Sequence, residues 1–206
     1  MTKLDTIFKL RNQLCKEDPD FLKNFENDNN ITHLAALLKF SYSQILTKVN
    51  LIIMKHYDTK DRLFKINGVQ LGISLEDALY MTGLPIKGKL VICAQFRDPD
   101  AFQRVFGISG TSSSINAMKQ IVLTKERHID VRKKALLLIL IHSFVTSEGK
   151  GGFCPIFVQF VDNLQAVNTY AWGAALLSFL YYHLQKNKGK GVIGENMWLT
   201  LSFFLI

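Results

Sequence analysis

Along most of the chain, apolar residues recur at the three-to-four-residue spacing of amphipathic helices, and capping or breaking residues separate the runs. Leu4, Ile7, Phe8 and Leu14 form the first stripe, with Arg11 as its one polar interruption. Asp18-Pro19 then supplies a side-chain cap and a first-turn proline for a second short helix. Thr32 to Phe40 and Ser43 to Tyr57 continue the helical spacing, although Ile45, Val49, Ile52 and Ile53 add β-branching that lowers helix propensity.

The period changes at Leu63-Phe64-Lys65-Ile66-Asn67-Gly68-Val69-Gln70-Leu71, where Asn-Gly separates two alternating runs. Asn and Gly tolerate the positive φ angles of a tight two-residue turn, so this segment predicts a β-hairpin. Ser74 follows, with Glu76 and Asp77 in the first turn of a new helix, Gly83 to end it and Pro85 to prevent continuation. Leu75, Leu79 and Leu84 are expected to face the core.

Farther on, Asp98-Pro99 can open a helix that Gly107 closes, and the serines 112–114 precede another. Val131 to Thr146 predicts a long helix broken by Gly149-Lys150-Gly151-Gly152, and Pro155 starts one through Leu164. Asn168-Thr169 offers a cap for Tyr170 to Gln185, which is apolar on nearly every face and so belongs at the centre of a bundle. The fold class expected is mainly α, a single-domain helical bundle with one short β-hairpin. Residues 1–42 read as an N-terminal helical extension and 43–206 as the main helical domain.

With 48% hydrophobic and 20% charged residues, the chain can build a core and is not of disordered composition. Its net charge of +8 is uneven: Lys and Arg exceed Asp and Glu by 14 to 12 through Gln103, and by 11 to 5 after it. The basic residues gather at Lys119, Lys125, Arg127, Arg132, Lys133 and Lys134, and again at Lys186, Lys188 and Lys190. They are candidate anion contacts, toward nucleic acid or an acidic protein. Solvated helix faces and ends produce the same pattern.

No constellation for catalysis or metal binding emerges. Cys15, Cys93 and Cys154 are widely spaced, which fits a reduced intracellular chain, and the five histidines form no metal pair. The start of the chain lacks the plan of a signal peptide, so the sequon Asn30-Ile31-Thr32 is expected to be unused. Neither glycine-rich stretch has the Lys and hydroxyl of a phosphate loop. The apolar runs 135–145, 171–184 and 199–206 fall short of the roughly 20 residues of a membrane span. No enzymatic activity, metal, cofactor or membrane partner is expected.

Two blocks carry a family resemblance. Phe64 to Gly88 joins the hairpin to Ser74-Leu75-Glu76-Asp77-Ala78 and Gly83-Leu84-Pro85-Ile86-Lys87-Gly88. The second is Tyr170-Ala171-Trp172-Gly173-Ala174-Ala175-Leu176-Leu177-Ser178-Phe179-Leu180-Tyr181. Both resemble the plant mobile domain, in matching order, from about Ser43 onward. The residues that match are Ser74, Leu75, Asp77, Gly83, Leu84, Pro85, Gly88, Tyr170, Trp172, Gly173, Leu180 and Tyr181, read as structural. Ala78 departs from the usual valine and Tyr182-His183 from the usual arginine, and the ending at Ile206 reads as truncated relative to the family pattern.

The resemblance implies a plant nuclear protein of a family shared by host genes and transposable elements, with roles in meristem maintenance and transposon silencing. It implies protein partners, with phosphatase-like proteins as candidates. The alternative is a transposon-encoded accessory protein that binds DNA through its basic C-terminal half. The family's aminotransferase-like label implies no reaction here, because nothing resembles a pyridoxal phosphate lysine and its phosphate loop.

Overall fold

In the computed structural model, the residues described are 3–39, 55–92, 98, 100–109, 114–146, 153 and 155–187. Most of the helix expected over Ser43 to Tyr57, as far as Met54, lies outside them, as do Cys93, Cys154, the 149–152 break, Lys188, Lys190 and the 199–206 run.

Helix α1 (Lys3–Glu17) buries Ile7, Leu10 and Leu14, while Phe8 faces solvent. The Asp18 carboxylate accepts from the Phe21 amide at 3.4 Å and Pro19 occupies the first turn, which starts α2 (Pro19–Glu26) as expected. Helix α3 (Thr32–Ala35) runs a single turn before tightening into a 3-10 segment, Ala36–Lys39.

Strands β1 (Tyr57–Asp58), β2 (Leu63–Ile66) and β3 (Val69–Leu71) form an antiparallel sheet in the order β1-β2-β3. The hairpin turns where predicted, with Asn67 at φ 49° and Gly68 at φ 82°. Tyr57, expected to end a helix, lies instead in a third strand opposite Phe64, their ring centroids 5.0 Å apart. Cross-strand aromatic packing of this kind outweighs the local helical spacing.

Helix α4 (Leu75–Thr82) carries a full capping box: the Asp77 amide donates to Ser74 Oγ at 3.1 Å and the Ser74 amide donates to Asp77 Oδ2 at 2.8 Å. Gly83 closes it in the left-handed conformation at φ 69°. Ser74→Ala is expected to cost about 0.5–2 kcal/mol in a denaturant titration. The core-facing stripe differs from expectation. Leu84 is fully buried, but Leu75 and Leu79 remain 40% and 38% exposed, and the buried positions of the helix are Ala78 and Thr82. Small Ala78 lets α4 lie close to its neighbours, and the larger leucines turn outward.

Helix α5 (Ala101–Phe106) ends at left-handed Gly107. Ser114 caps α6 (Ile115–Leu123), its Oγ accepting from the Ala117 amide at 3.1 Å. Helix α7 (Ile129–Leu140) begins before the predicted Val131 and ends in a wider π turn, Ile141–Val145. Every residue from Ala135 to Thr146 is buried, so α7 runs through the middle of the molecule.

The helix expected from Pro155 to Leu164 is broken into a 3-10 turn (Pro155–Phe157), α8 (Gln159–Asp162) and a second 3-10 stretch (Leu164–Thr169). Helix α9 spans Trp172–Asn187, later than the predicted Tyr170 start. Tyr170 is held in a parallel bridge with Lys89, and the Asn168 side chain donates to Asn29 O at 2.6 Å rather than capping α9.

Two apolar clusters result. The larger joins α1, α2 and α3 to α5, α6, α7, α8 and the start of α9. The smaller joins Tyr57, Phe64 and Ala78 to Leu177, Leu180 and Leu184, which places the sheet and α4 against the later turns of α9.

Candidate functional site

The two resemblance blocks, far apart in sequence, meet in space at the start of α9. The Gly173 amide donates to Pro85 O at 2.8 Å, and a Cβ on Gly173 would stand 2.8 Å from Leu84 O and 3.0 Å from the Ile86 side chain. Glycine is required there because one backbone lies directly on another. Gly88, at φ 140°, repeats the arrangement: a Cβ on it would stand 2.4 Å from Thr169 O. Next to it the Lys89 amide donates to Thr169 O at 2.8 Å and the Ala171 amide donates to Lys89 O at 2.9 Å.

Side chains complete the joint. Trp172 is fully buried, its indole N–H donating to Val167 O at 2.8 Å, and Phe160 meets the rings of both Tyr170 and Trp172 edge-on. Tyr181 Oη donates to Ile73 O at 2.7 Å and accepts from the Ile73 amide at 3.2 Å, tying α9 to the segment between β3 and α4. Leu180 is buried in the smaller cluster. Ser74, Asp77, Gly83, Leu84, Pro85, Gly88, Tyr170, Trp172, Gly173, Leu180 and Tyr181 thus hold helix ends or the joint, whereas Leu75 faces solvent.

The structure does not bring the basic residues together as one anion-binding surface. Lys125 Nζ donates to Glu17 O at 2.5 Å, Arg127 donates to Phe106 O at 2.7 Å and Arg132 Nε donates to Val122 O at 2.8 Å. These carbonyls lie at the C-terminal ends of α1, α5 and α6, where a cation offsets the negative end of the helix dipole. Arg132 and Lys133, expected among the anion contacts, are instead only 6% and 7% exposed. Arg132 pairs with Asp18 at 2.6 Å and lies 4.0 Å over the Phe21 ring, and Lys133 pairs with Asp28 at 2.5 Å. Lys134 pairs with Asp162, which also receives Arg104. Lys119 is half-buried on α6 and Lys186 is exposed on α9. The sequence shows the charge but not these partners, because the acids that answer it flank α2 or end α8.

The same pairs set the acids' titration. Burial alone would raise the Asp18 carboxyl, yet its hydrogen bonds from Arg132 and the Phe21 amide, with the charges of Arg132 and Lys125, hold it below the ordinary 3.8. Asp28 is likewise lowered, burial being outweighed by Lys133 and the Asn30 amide.

Facing solvent is an apolar set that sequence reasoning assigned to the core or left unassigned. Val69 and Leu71 on β3 are 55% and 51% exposed, and Leu75, Leu79 and Tyr80 of the helix that follows are exposed as well. The alternation of β3 could have revealed it, because a strand at the edge of a small sheet has little to pack against. Among the described residues no group of His, Cys, Asp or Glu could hold a metal ion, and no helix is long and apolar enough to cross a membrane.

A family model described as a domain of unknown function, DUF8566, matches residues 31–199. The chain belongs to the DUF8566 family. In this DUF8566 chain the match covers both blocks and the joint between them, and it begins after α1 and α2. The chain is also 27% identical over 143 residues to Protein MAIN-LIKE 2 of Arabidopsis thaliana, an alignment covering 63% of the chain and 21% of that relative. It therefore spans well under two thirds of MAIN-LIKE 2. No solved structure matches the DUF8566 chain.

Proposed function

We propose that this chain is a non-catalytic interaction module of a plant nuclear protein, of the plant mobile domain kind, which works through protein partners in transposon silencing or meristem maintenance. One observation carries the proposal: the polar and basic residues singled out by the sequence are largely engaged inside the fold, while large apolar side chains on β3 and α4 remain at the surface. Exposed apolar side chains gathered in one region mark a contact for another protein more often than a catalytic centre. The similarity to MAIN-LIKE 2 supports the plant setting. Direct DNA binding through the basic half loses its main support, since Arg132, Lys133 and Lys134 pair with carboxylates of the same chain, the first two at buried positions.

Two measurements test the proposal. Anisotropy of a labelled duplex, titrated at several salt concentrations, should show weak binding with a shallow salt dependence; sub-micromolar affinity falling steeply with salt would make DNA the partner. Capture from plant nuclei followed by mass spectrometry should return a defined protein set, phosphatase-like proteins being the first to look for, and Leu75→Asp with Leu79→Asp should deplete it. An unchanged set would move the interface elsewhere.

A further inference from the structure

The hairpin leaves one edge of the sheet open beside an apolar face. A two-residue turn with positive φ at Asn67 and Gly68 closes on Ile66 and Val69, so that pair exchanges hydrogen bonds and the next, Lys65 and Gln70, does not. The Lys65 amide shows the alternation, since it donates at 2.8 Å to His56 O on the opposite side. The N–H and C=O of Gln70 therefore point away from β2, toward the side where no further strand lies among the described residues.

The register places Phe64, Ile66, Val69 and Leu71 on one face. Phe64 is buried under α4 and α9, whereas Val69 and Leu71 project beyond the cover of those helices. The charges and prolines that commonly keep an edge from pairing are absent from Val69-Gln70-Leu71. Where β3 leaves the sheet it lies against the start of β2, just after the β1–β2 loop: a Cβ on Gly72 would stand 3.0 Å from the Leu63 side chain. That loop carries Lys60 and Arg62, both exposed, while Asp58 and Asp61 both pair with Lys65.

We propose that the β3 edge takes an extended segment of a protein partner as a fourth strand. The segment carries apolar side chains two residues apart beside Val69 and Leu71, and acidic residues where it passes Lys60 and Arg62. Backbone pairing fixes its direction, and the alternate side chains with the acidic end give selectivity. A second copy of this chain fits less well, because each copy carries +8 and two three-residue edges would offer few hydrogen bonds against that repulsion. The inference rests on the interaction role proposed above and names the partner's chemistry.

Random-peptide phage display on the intact chain tests it, with the selected peptides resynthesised carrying single backbone N-methyl groups. An apolar-x-apolar core with Asp or Glu at one end should be enriched. N-methylation at the residue facing Gln70 should weaken binding about tenfold or more, as expected for a lost hydrogen bond and the strand contacts around it, while methylation at the next residue should do little. Gln70→Pro should act like the first methyl group with an unchanged melting midpoint, and Lys60→Glu with Arg62→Glu should shift the selected end from acidic to basic. Failure to enrich such peptides, or binding indifferent to N-methylation at every position, would overturn the inference without any protein variant. Self-association in sedimentation velocity that Gln70→Pro abolishes would give the edge to a second copy and overturn the named occupant. Partner capture lost with Leu75→Asp and Leu79→Asp but untouched by Gln70→Pro would keep the interaction role and remove strand pairing from it.

Discussion

Trp172→Ala is expected to destabilise the chain by about 3–5 kcal/mol, the range for emptying the space of a large buried aromatic. Trp172 is fully buried, and its indole N–H is the hydrogen-bond partner of Val167 O at 2.8 Å. Removing the ring opens a cavity at the junction of the two sequence blocks, against Phe160 and Tyr170. It also takes the shorter of two hydrogen bonds from Val167 O, which keeps only the Tyr170 amide at 3.4 Å. Trp172→Phe should recover much of the packing but not the N–H, and so fall between. Chemical denaturation of the three proteins measures the order; a loss for Trp172→Ala below about 1 kcal/mol, within the range of ordinary point substitutions, would mean that the ring does not hold the joint.

The second large effect is expected at Arg132, where alanine should cost about 3–5 kcal/mol because it leaves a largely buried carboxylate unpaired. The guanidinium is held by Asp18, by Val122 O and by the Phe21 ring, and the side chains of Arg132 and Asp18 are 7% and 17% exposed. Asp18→Asn should be milder, and in the double variant the two losses should not add. The pH dependence has a definite sign. Asp18 titrates below its ordinary 3.8 in the folded chain, so its contribution is present above that value and is lost as pH falls through the lower, folded value. Thermal melts below pH 4 should therefore fall more steeply in wild type than in Arg132→Ala, and parallel slopes would show that the pair contributes no such linkage.

Local chemistry was readable wherever the deciding atoms lie within a few residues of one another. The Asn67-Gly68 turn, the Ser74 and Asp77 capping box, the Gly83 and Gly107 terminations and the Asp18-Pro19 start all follow from residues that act on their own neighbourhood. What was not readable depends on distant partners. Tyr57 joins a strand because Phe64 stands across from it, and α9 starts late because Lys89 claims the backbone around Tyr170. Leu75 and Leu79 point outward because Ala78 decides how α4 docks, a choice that hydrophobicity alone would reverse. At the candidate site, the resemblance blocks were visible as sequence but their contact was not. The basic run from Lys119 to Lys134 gave a charge without its counter-ions, and only the folded chain supplies Asp18, Asp28 and Asp162.

The placement of α1 and α2 bears on how the protein can be handled in pieces. Phe21, Leu22 and Phe25 lie in the same apolar cluster as α7, and Asp18 and Asp28 neutralise the cations near its start. A fragment cut to the boundaries of the family match, starting at Ile31, would strip that cover from α7 and expose Arg132 and Lys133 without the acids that pair with them. Expression boundaries for crystallography or binding work therefore belong ahead of Lys3, since the shorter fragment would present an artificial basic, greasy surface and attract nucleic acid or itself for reasons foreign to the intact chain.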